Sequence, residues 1–141
     1  MRRGGPTFAD ITTFSALHAA AVRASRGLSG RPAVARFLLD LEPELLALQR
    51  ELHSGRYQPR PLRHFRIRDP KPRTISVAHF RDRVVHHALC AGFDARLERY
   101  ADPDSYACRV GKGNRAAVLR VQQLARKRPW FVKLDVRHFF E

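Results

Sequence analysis

The sequence predicts an α+β chain. A helical N-terminal layer comes first, then a basic β-hairpin, two further helices and one last strand. Three observations carry that prediction. Apolar residues recur at helical spacing on both sides of residue 30. Two β-rich pieces flank Asp69-Pro70-Lys71-Pro72, which is turn chemistry. A short apolar run from Phe131 to Val136 carries one carboxylate, Asp135, near its end. The architecture is incomplete, because that last strand lacks most of the sheet partners it needs.

The elements follow in order. Residues 1–6 read as a frayed tail. Phe8, Ile11, Phe14, Leu17 and Ala21 predict one amphipathic helix from Thr7 to about Arg26. Gly27 to Gly30 is a break, and Pro32 suits the first turn of the next helix. Phe37, Leu38, Leu41, Leu45, Leu48 and Leu52 form its stripe. Pro43 divides this segment or restarts a helix, and Gly55 stops it. Tyr57-Gln58-Pro59-Arg60-Pro61 is an extended connector. Residues 62–68 and Arg73 to Val77 then make a hairpin studded with Arg63, Arg66, Arg68, Lys71 and Arg73. Arg81 to about Tyr100 is a helix that buries Val84, Val85, Ala88, Leu89, Gly92, Phe93 and Leu97. Ser105 to Val110 reads as extended, and Gly111-Lys112-Gly113 as a tight turn. Asn114 caps a helix to about Arg128, with Ala117, Val118, Val121, Leu124 and Ala125 inward. Pro129 breaks it, and Phe131 to Val136 is the last strand.

Composition narrows the function. A chain of 141 residues with 44% apolar content is large enough for one domain with a core. No run of about 18 apolar residues occurs, so no membrane partner is expected. Met1-Arg2-Arg3-Gly4-Gly5-Pro6 lacks the apolar stretch of a secretory signal, which points to the cytoplasm. Cys90 and Cys108 read as reduced, partly buried thiols, and no cluster has zinc-ligand spacing. Lys and Arg total 27 against 13 acids, a net charge of +14. Such a field attracts polyanions, and arginine pairs with phosphate bidentately, so nucleic acid is the favoured partner. An arginine-rich coding bias from GC-rich DNA is the competing explanation of the same charge.

Four motifs bear on chemistry. Asp135 sits where a two-metal nucleotidyl transferase places a carboxylate, on a strand beside bulky rings. Taken alone, an aspartate after an apolar strand more often caps a turn or a helix. Gly111-Lys112-Gly113 suits either a phosphate at a helix N-terminus or a turn that needs glycine; it is not a Walker loop. His86 and His87 point about 100° apart on a helix and share one ion poorly, and His79 lies nearby in sequence. Of the Phe139-Phe140 pair, one ring is expected in the core and the other is a candidate wall of a nucleotide pocket.

These pieces, in this order, resemble the N-terminal half of a bacterial reverse transcriptase of the group II intron or diversity-generating retroelement type. Leu52 to Pro59 is similar to an "L-x-x-G-x-Y-x-P" block. The basic hairpin Phe65 to Ile75, with Lys71-Pro72-Arg73-Thr74-Ile75, is similar to the fingertip strands. Arg81 to Leu89 resembles "K/R-D-R-V-V-x-x-A-L", and Asp104 to Gly113 resembles "D-S-Y-x-x-R-x-G-K/R-G/S". Lys133 to Phe140 resembles the first palm motif, "D-I-x-x-F-F". The likeness covers roughly residues 38–141. Each block alone is modest; five in the correct order are specific.

The resemblance implies roles. It makes residues 1–31 an N-terminal helical extension, 32–128 the fingers region and 129–141 the start of the palm. Asp135 would bind catalytic metal, with the Val136 carbonyl as a backbone ligand and Mg²⁺ as the ion. Phe140 would be the steric gate against a ribose 2′-hydroxyl. Arg73, with Arg66 or Arg68, would grip the incoming triphosphate. Lys71, Arg109 and Lys112 would lie near nucleic acid. The implied partners are an RNA template, a DNA primer and dNTPs; an accessory protein is left open. The implied reaction is two-metal nucleotidyl transfer to a primer 3′-hydroxyl. The sequence ends before the "Y-x-D-D" pair and the thumb, so the chain alone is expected to be inactive. The rival expectation is a non-enzymatic RNA-binding remnant of such an element.

Overall fold

The structure, a computed structural model, describes residues 5–136. Among them are six helices and one two-stranded antiparallel sheet, an α+β arrangement. The chain divides into two compact units, Met1–Leu97 and Glu98–Glu141.

In the first unit, α1 (Phe8–Ile11) and α2 (Phe14–Ser25) replace the single helix that the apolar spacing predicts. The break falls at Thr12-Thr13, where hydroxyls compete with the helix ladder. Thr12 Oγ1 donates to the Phe8 carbonyl at 2.8 Å, and Thr13 Oγ1 caps α2 by accepting from Ala16 N at 3.2 Å. A capping box starts α1: Thr7 N donates to Asp10 Oδ2 at 2.8 Å and Asp10 N to Thr7 Oγ1 at 3.3 Å. Next come α3 (Pro32–Leu39) and α4 (Leu41–His53). They part at Asp40, and Pro43 restarts the helix from within its first turn, where a missing N–H costs nothing. Gly55, at φ 69°, turns the chain away from α4 in the left-handed region that glycine enters freely.

The core gathers Leu17, Ala20 and Ala21 of α2, Val34 and Phe37 of α3, Leu45 and Leu48 of α4, and Phe80, Val84, Val85 and Ala88 of α5 (Phe80–Tyr100). Leu17, Leu45 and Leu48 are fully buried. Truncating any one of them to alanine costs about 2–5 kcal/mol by general precedent. Phe37 and Phe80 meet edge to face at 5.1 Å between centroids. Polar ties register the helices. Gln49 donates to the Thr12 carbonyl at 2.9 Å, and His53 Nε2 lies 2.9 Å from Thr12 Oγ1. Arg83 donates to the Ala24 carbonyl at the C-terminal end of α2, where a cation is favoured.

The predicted hairpin forms as β1 (Arg63–Arg68) and β2 (Pro72–Val77), in the register Arg63↔Val77, Phe65↔Ile75, Ile67↔Arg73. Its residues are exposed except for a half-buried Ile75, and none joins the core.

The long helix α5 forms as expected, but only its first half is buried. Phe93 and Leu97, expected on the inner face, are 51% and 64% exposed. Further expectations fail, most of them in the second unit. Ser105 to Val110 is turned rather than extended, because Arg109 draws two carbonyls of this loop onto its guanidinium. Helix α6 (Asn114–Ala125) is capped by Gly113, with Asn114 already inside it, and buries no residue. Val118, Val121 and Leu124 are exposed instead. Residues 131–136 form no strand, since a strand is defined by a hydrogen-bonded partner and no described residue supplies one. Trp130, Phe131, Val132 and Leu134 are each more than four-fifths exposed. Cys90 and Cys108, expected to be partly buried, are both exposed and free.

Gly92 packs α5 against Ile11. A Cβ at that position would stand 2.5 Å from Ile11 Cγ2. Gly92→Ala should therefore destabilise the protein by about 1–3 kcal/mol, as overpacking does, despite the better helix propensity of alanine. Urea unfolding followed by circular dichroism checks this, and Ile11→Ala in the same chain should remove most of the added penalty.

Candidate nucleic-acid interface

The interface candidates fall in two places, the hairpin of the first unit and the loop of the second. The hairpin register sorts its side chains. Cross-strand partners share a face. Arg63, Phe65, Ile67, Arg73, Ile75 and Val77 lie on one face; His64, Arg66, Arg68, Thr74 and Ser76 lie on the other. Arg66 and Arg68 are thus together, and Arg73 is on the opposite face among apolar neighbours. The expected partnership of Arg73 with Arg66 or Arg68 does not fall on one face; the register pairs Arg66 with Arg68 instead. Lys71 sits in the connecting turn.

The base of the hairpin is built from charges that the sequence reading left without a role. Asp82, in the first turn of α5, is 1% exposed. It accepts from the Tyr57 hydroxyl at 2.7 Å and from Arg60 N at 3.0 Å. Burial first, and then the bond to Asp82, pushes the Tyr57 phenol well above its ordinary range, so it stays a donor. Beside Asp82, Arg81 is 7% exposed and forks onto Glu51, with both bonds at 2.8 Å, and reaches Glu44 at 3.4 Å. Burial opposes the Arg81 charge, but the bonds to Glu51 and Glu44 outweigh it and hold its pKa up. Two of the blocks that carry the resemblance, Leu52 to Pro59 and Arg81 to Leu89, therefore meet through a hydrogen bond. A buried carboxylate directly after a buried arginine is the signal that could have found this node, because neither is stable inside without a partner.

In the second unit, Arg109 and Lys112 are engaged within the loop. Arg109 bonds Glu98 through Nε and Nη2, and its Nη1 donates to the carbonyls of Asp102 and Ser105 at 2.6 and 3.1 Å. Lys112 Nζ donates to the Pro103 carbonyl and lies 5.0 Å from the centre of the Tyr106 ring. Arg120 of α6 forks onto Asp104 at 2.8 and 3.0 Å. The bonds from Arg109 and Arg120 hold the Glu98 and Asp104 carboxyls below their usual range. Gly111 and Gly113, at φ 73° and 109°, supply the turn. These contacts stand where a hydrophobic core would, since no described residue of this unit is buried.

Asp135 and Val136 are exposed in the segment without secondary structure that follows α6. Phe140 lies outside the described residues. No group of three or more potential metal ligands occurs among the described residues. One exposed carboxylate does not make a magnesium site. No helix among the described residues is long and apolar enough to cross a membrane.

No protein-family model matches the sequence. A stretch of 96 residues is 25% identical to a Saccharomyces cerevisiae protein described as "Putative COX1/OXI3 intron 1 protein". The match covers 67% of this chain and 12% of the yeast protein.

Two substitutions test the two scaffolds. Tyr57→Phe leaves buried Asp82 with one bond fewer and should cost about 1–3 kcal/mol of stability by urea titration. Arg109→Ala should raise amide exchange across residues 101–125 while α2 and α4 keep their protection. Acid should mimic it. The Glu98 and Asp104 pKa values are lowered, so their contribution is complete above the ordinary values of 4.5 and 3.8 and is lost as pH falls through the lowered ones.

Proposed function

We propose that this chain is an N-terminal part of an RNA-directed DNA polymerase, and that its own contribution is contact with nucleic acid through the basic hairpin. The observation that carries the reading is the hairpin itself. Arg66 and Arg68 lie on one exposed face beside His64, with Lys71 in the turn, on a chain of net charge +14. Guanidinium pairs on a pleated surface suit successive phosphates. The match to a protein named for an intron agrees with the resemblance to reverse transcriptases of the group II intron type.

In this reading the substrates are an RNA template, a DNA primer and dNTPs, and residues 32–128 form the fingers. Asp135 is the carboxylate assigned to Mg²⁺, with Val136 beside it and Phe140 as the sugar gate. The triphosphate is gripped from the hairpin. Arg66 and Arg68 act as a pair, and Arg73 acts from the other face. Arg109 and Lys112 serve by shaping the loop rather than as free cations. The second reading, a binder without chemistry, is favoured by the same hairpin, which needs no carboxylate to work.

Binding of a single-stranded RNA, followed by fluorescence anisotropy across salt concentrations, tests the hairpin. The wild-type affinity should fall steeply with salt. The double variant Arg66→Ala/Arg68→Ala should bind more weakly and reduce the salt slope by roughly 1–2 units. An unchanged slope would remove the hairpin from the interface. Asp135→Ala should leave this binding intact. In a longer version carrying the remaining palm carboxylates, Asp135→Ala should abolish primer extension. No synthesis by the unmutated longer version would favour the binder.

A further inference from the structure

We propose that His79 is a proton-operated latch at the base of the hairpin, clasping its two legs together where they meet the helical core while neutral and releasing them when protonated. The hairpin contributes nothing to the core, so its placement depends on its two legs. The entering leg carries Arg60 and the leaving leg carries His79. Arg60 Nη1 lies 3.2 Å from His79 Nε2 and 3.5 Å from Nδ1, and Arg81 N donates to Nδ1 at 3.4 Å. Every one of these contacts presents a donor to the ring. An imidazole has one acceptor nitrogen to offer; an imidazolium has none. Protonation therefore removes the acceptor and sets a cation against the Arg60 guanidinium, on the same residue whose backbone N–H is held by Asp82.

The charges that face His79 come from three elements: Arg60 of the connector, Asp82 and Arg81 of α5, and Glu44 of α4. The carboxylates favour the cation, while burial first and then Arg60 oppose it, with Arg81 adding to the opposition. The net shift is downward from 6.5. A lowered pKa means that the folded state prefers the neutral ring. The latch contributes in full above about pH 6.5 and is lost as pH falls through the lowered folded value. The affected element carries Arg63, Arg66, Arg68 and Arg73, so acid would free the most basic part of the first unit. The latch acts on the hairpin's legs whether or not the hairpin binds RNA.

Hydrogen exchange of the full chain, corrected for intrinsic rates between pH 7.5 and 5, is the test. Hairpin protection should fall by up to about tenfold per pH unit, one proton's worth, while the amides of α2 hold. His79→Gln keeps an acceptor oxygen and cannot titrate, so its hairpin protection should be flat with pH. His64 lies in the hairpin 2.9 Å from Ser76 Oγ, and His64→Asn should retain the wild-type response. A pH-independent wild-type hairpin overturns the proposal. So does a response that survives in His79→Gln or disappears in His64→Asn.

Discussion

Two opposite charges are buried side by side in the first turn of α5, and the first unit is organised around satisfying them. Arg81 and Asp82 are almost completely removed from water. A buried charge without a partner is among the costliest features a fold can hold. Each therefore dictates what surrounds it. Arg81 requires carboxylates and finds Glu51 and Glu44 one helix away, which sets α4 against α5. Asp82 requires donors and finds a phenol and a backbone N–H in the connector, which fixes where the hairpin departs. Apolar packing alone would permit α4 and α5 to slide; the directional bonds permit one register.

Legibility in the sequence followed the physics of each element. The hairpin was plain, because the Asp-Pro-Lys-Pro turn and the flanking β-branched and aromatic residues are local signals. The helical core was plain from its 3.6-residue spacing. The break at Thr12-Thr13 was not, because hydroxyl capping competes with periodicity on a small energy scale and the apolar stripe runs straight through it. The outward stripe of α6 differs from its periodicity for another reason. Periodicity reports that a face is apolar and says nothing about what covers it. The same limit applies to Phe131 to Val136, where composition favours a strand but pairing requires a partner. For the candidate site, the sequence names a set of cations and cannot sort them. A register is needed to see that Arg66 and Arg68 share a face without Arg73, and a structure is needed to see that Arg109 is engaged by its own loop.

The functional reading rests on different supports for its two halves. Contact with nucleic acid draws on charge, on the exposed arginine face and on the hairpin's attachment at one end. Polymerase chemistry draws on the ordered blocks of the resemblance and on a single carboxylate. The Tyr57–Asp82 bond gives two of those blocks a physical reason to occur together, since the tyrosine of one satisfies the buried aspartate of the other. In this chain the two blocks together build the hairpin's base.

The second unit carries a thermodynamic consequence of its construction. Unfolding heat capacity comes mainly from newly exposed apolar surface. A segment whose described residues are all at least partly exposed, and whose order rests on guanidinium–carboxylate and guanidinium–carbonyl bonds, has little such surface left to expose. Its loss of structure should be broad and nearly silent in a calorimeter, while the helical core melts in a sharp endotherm. The chain as a whole then has no single melting temperature, and a two-state fit to its thermogram would describe only the part that carries a core.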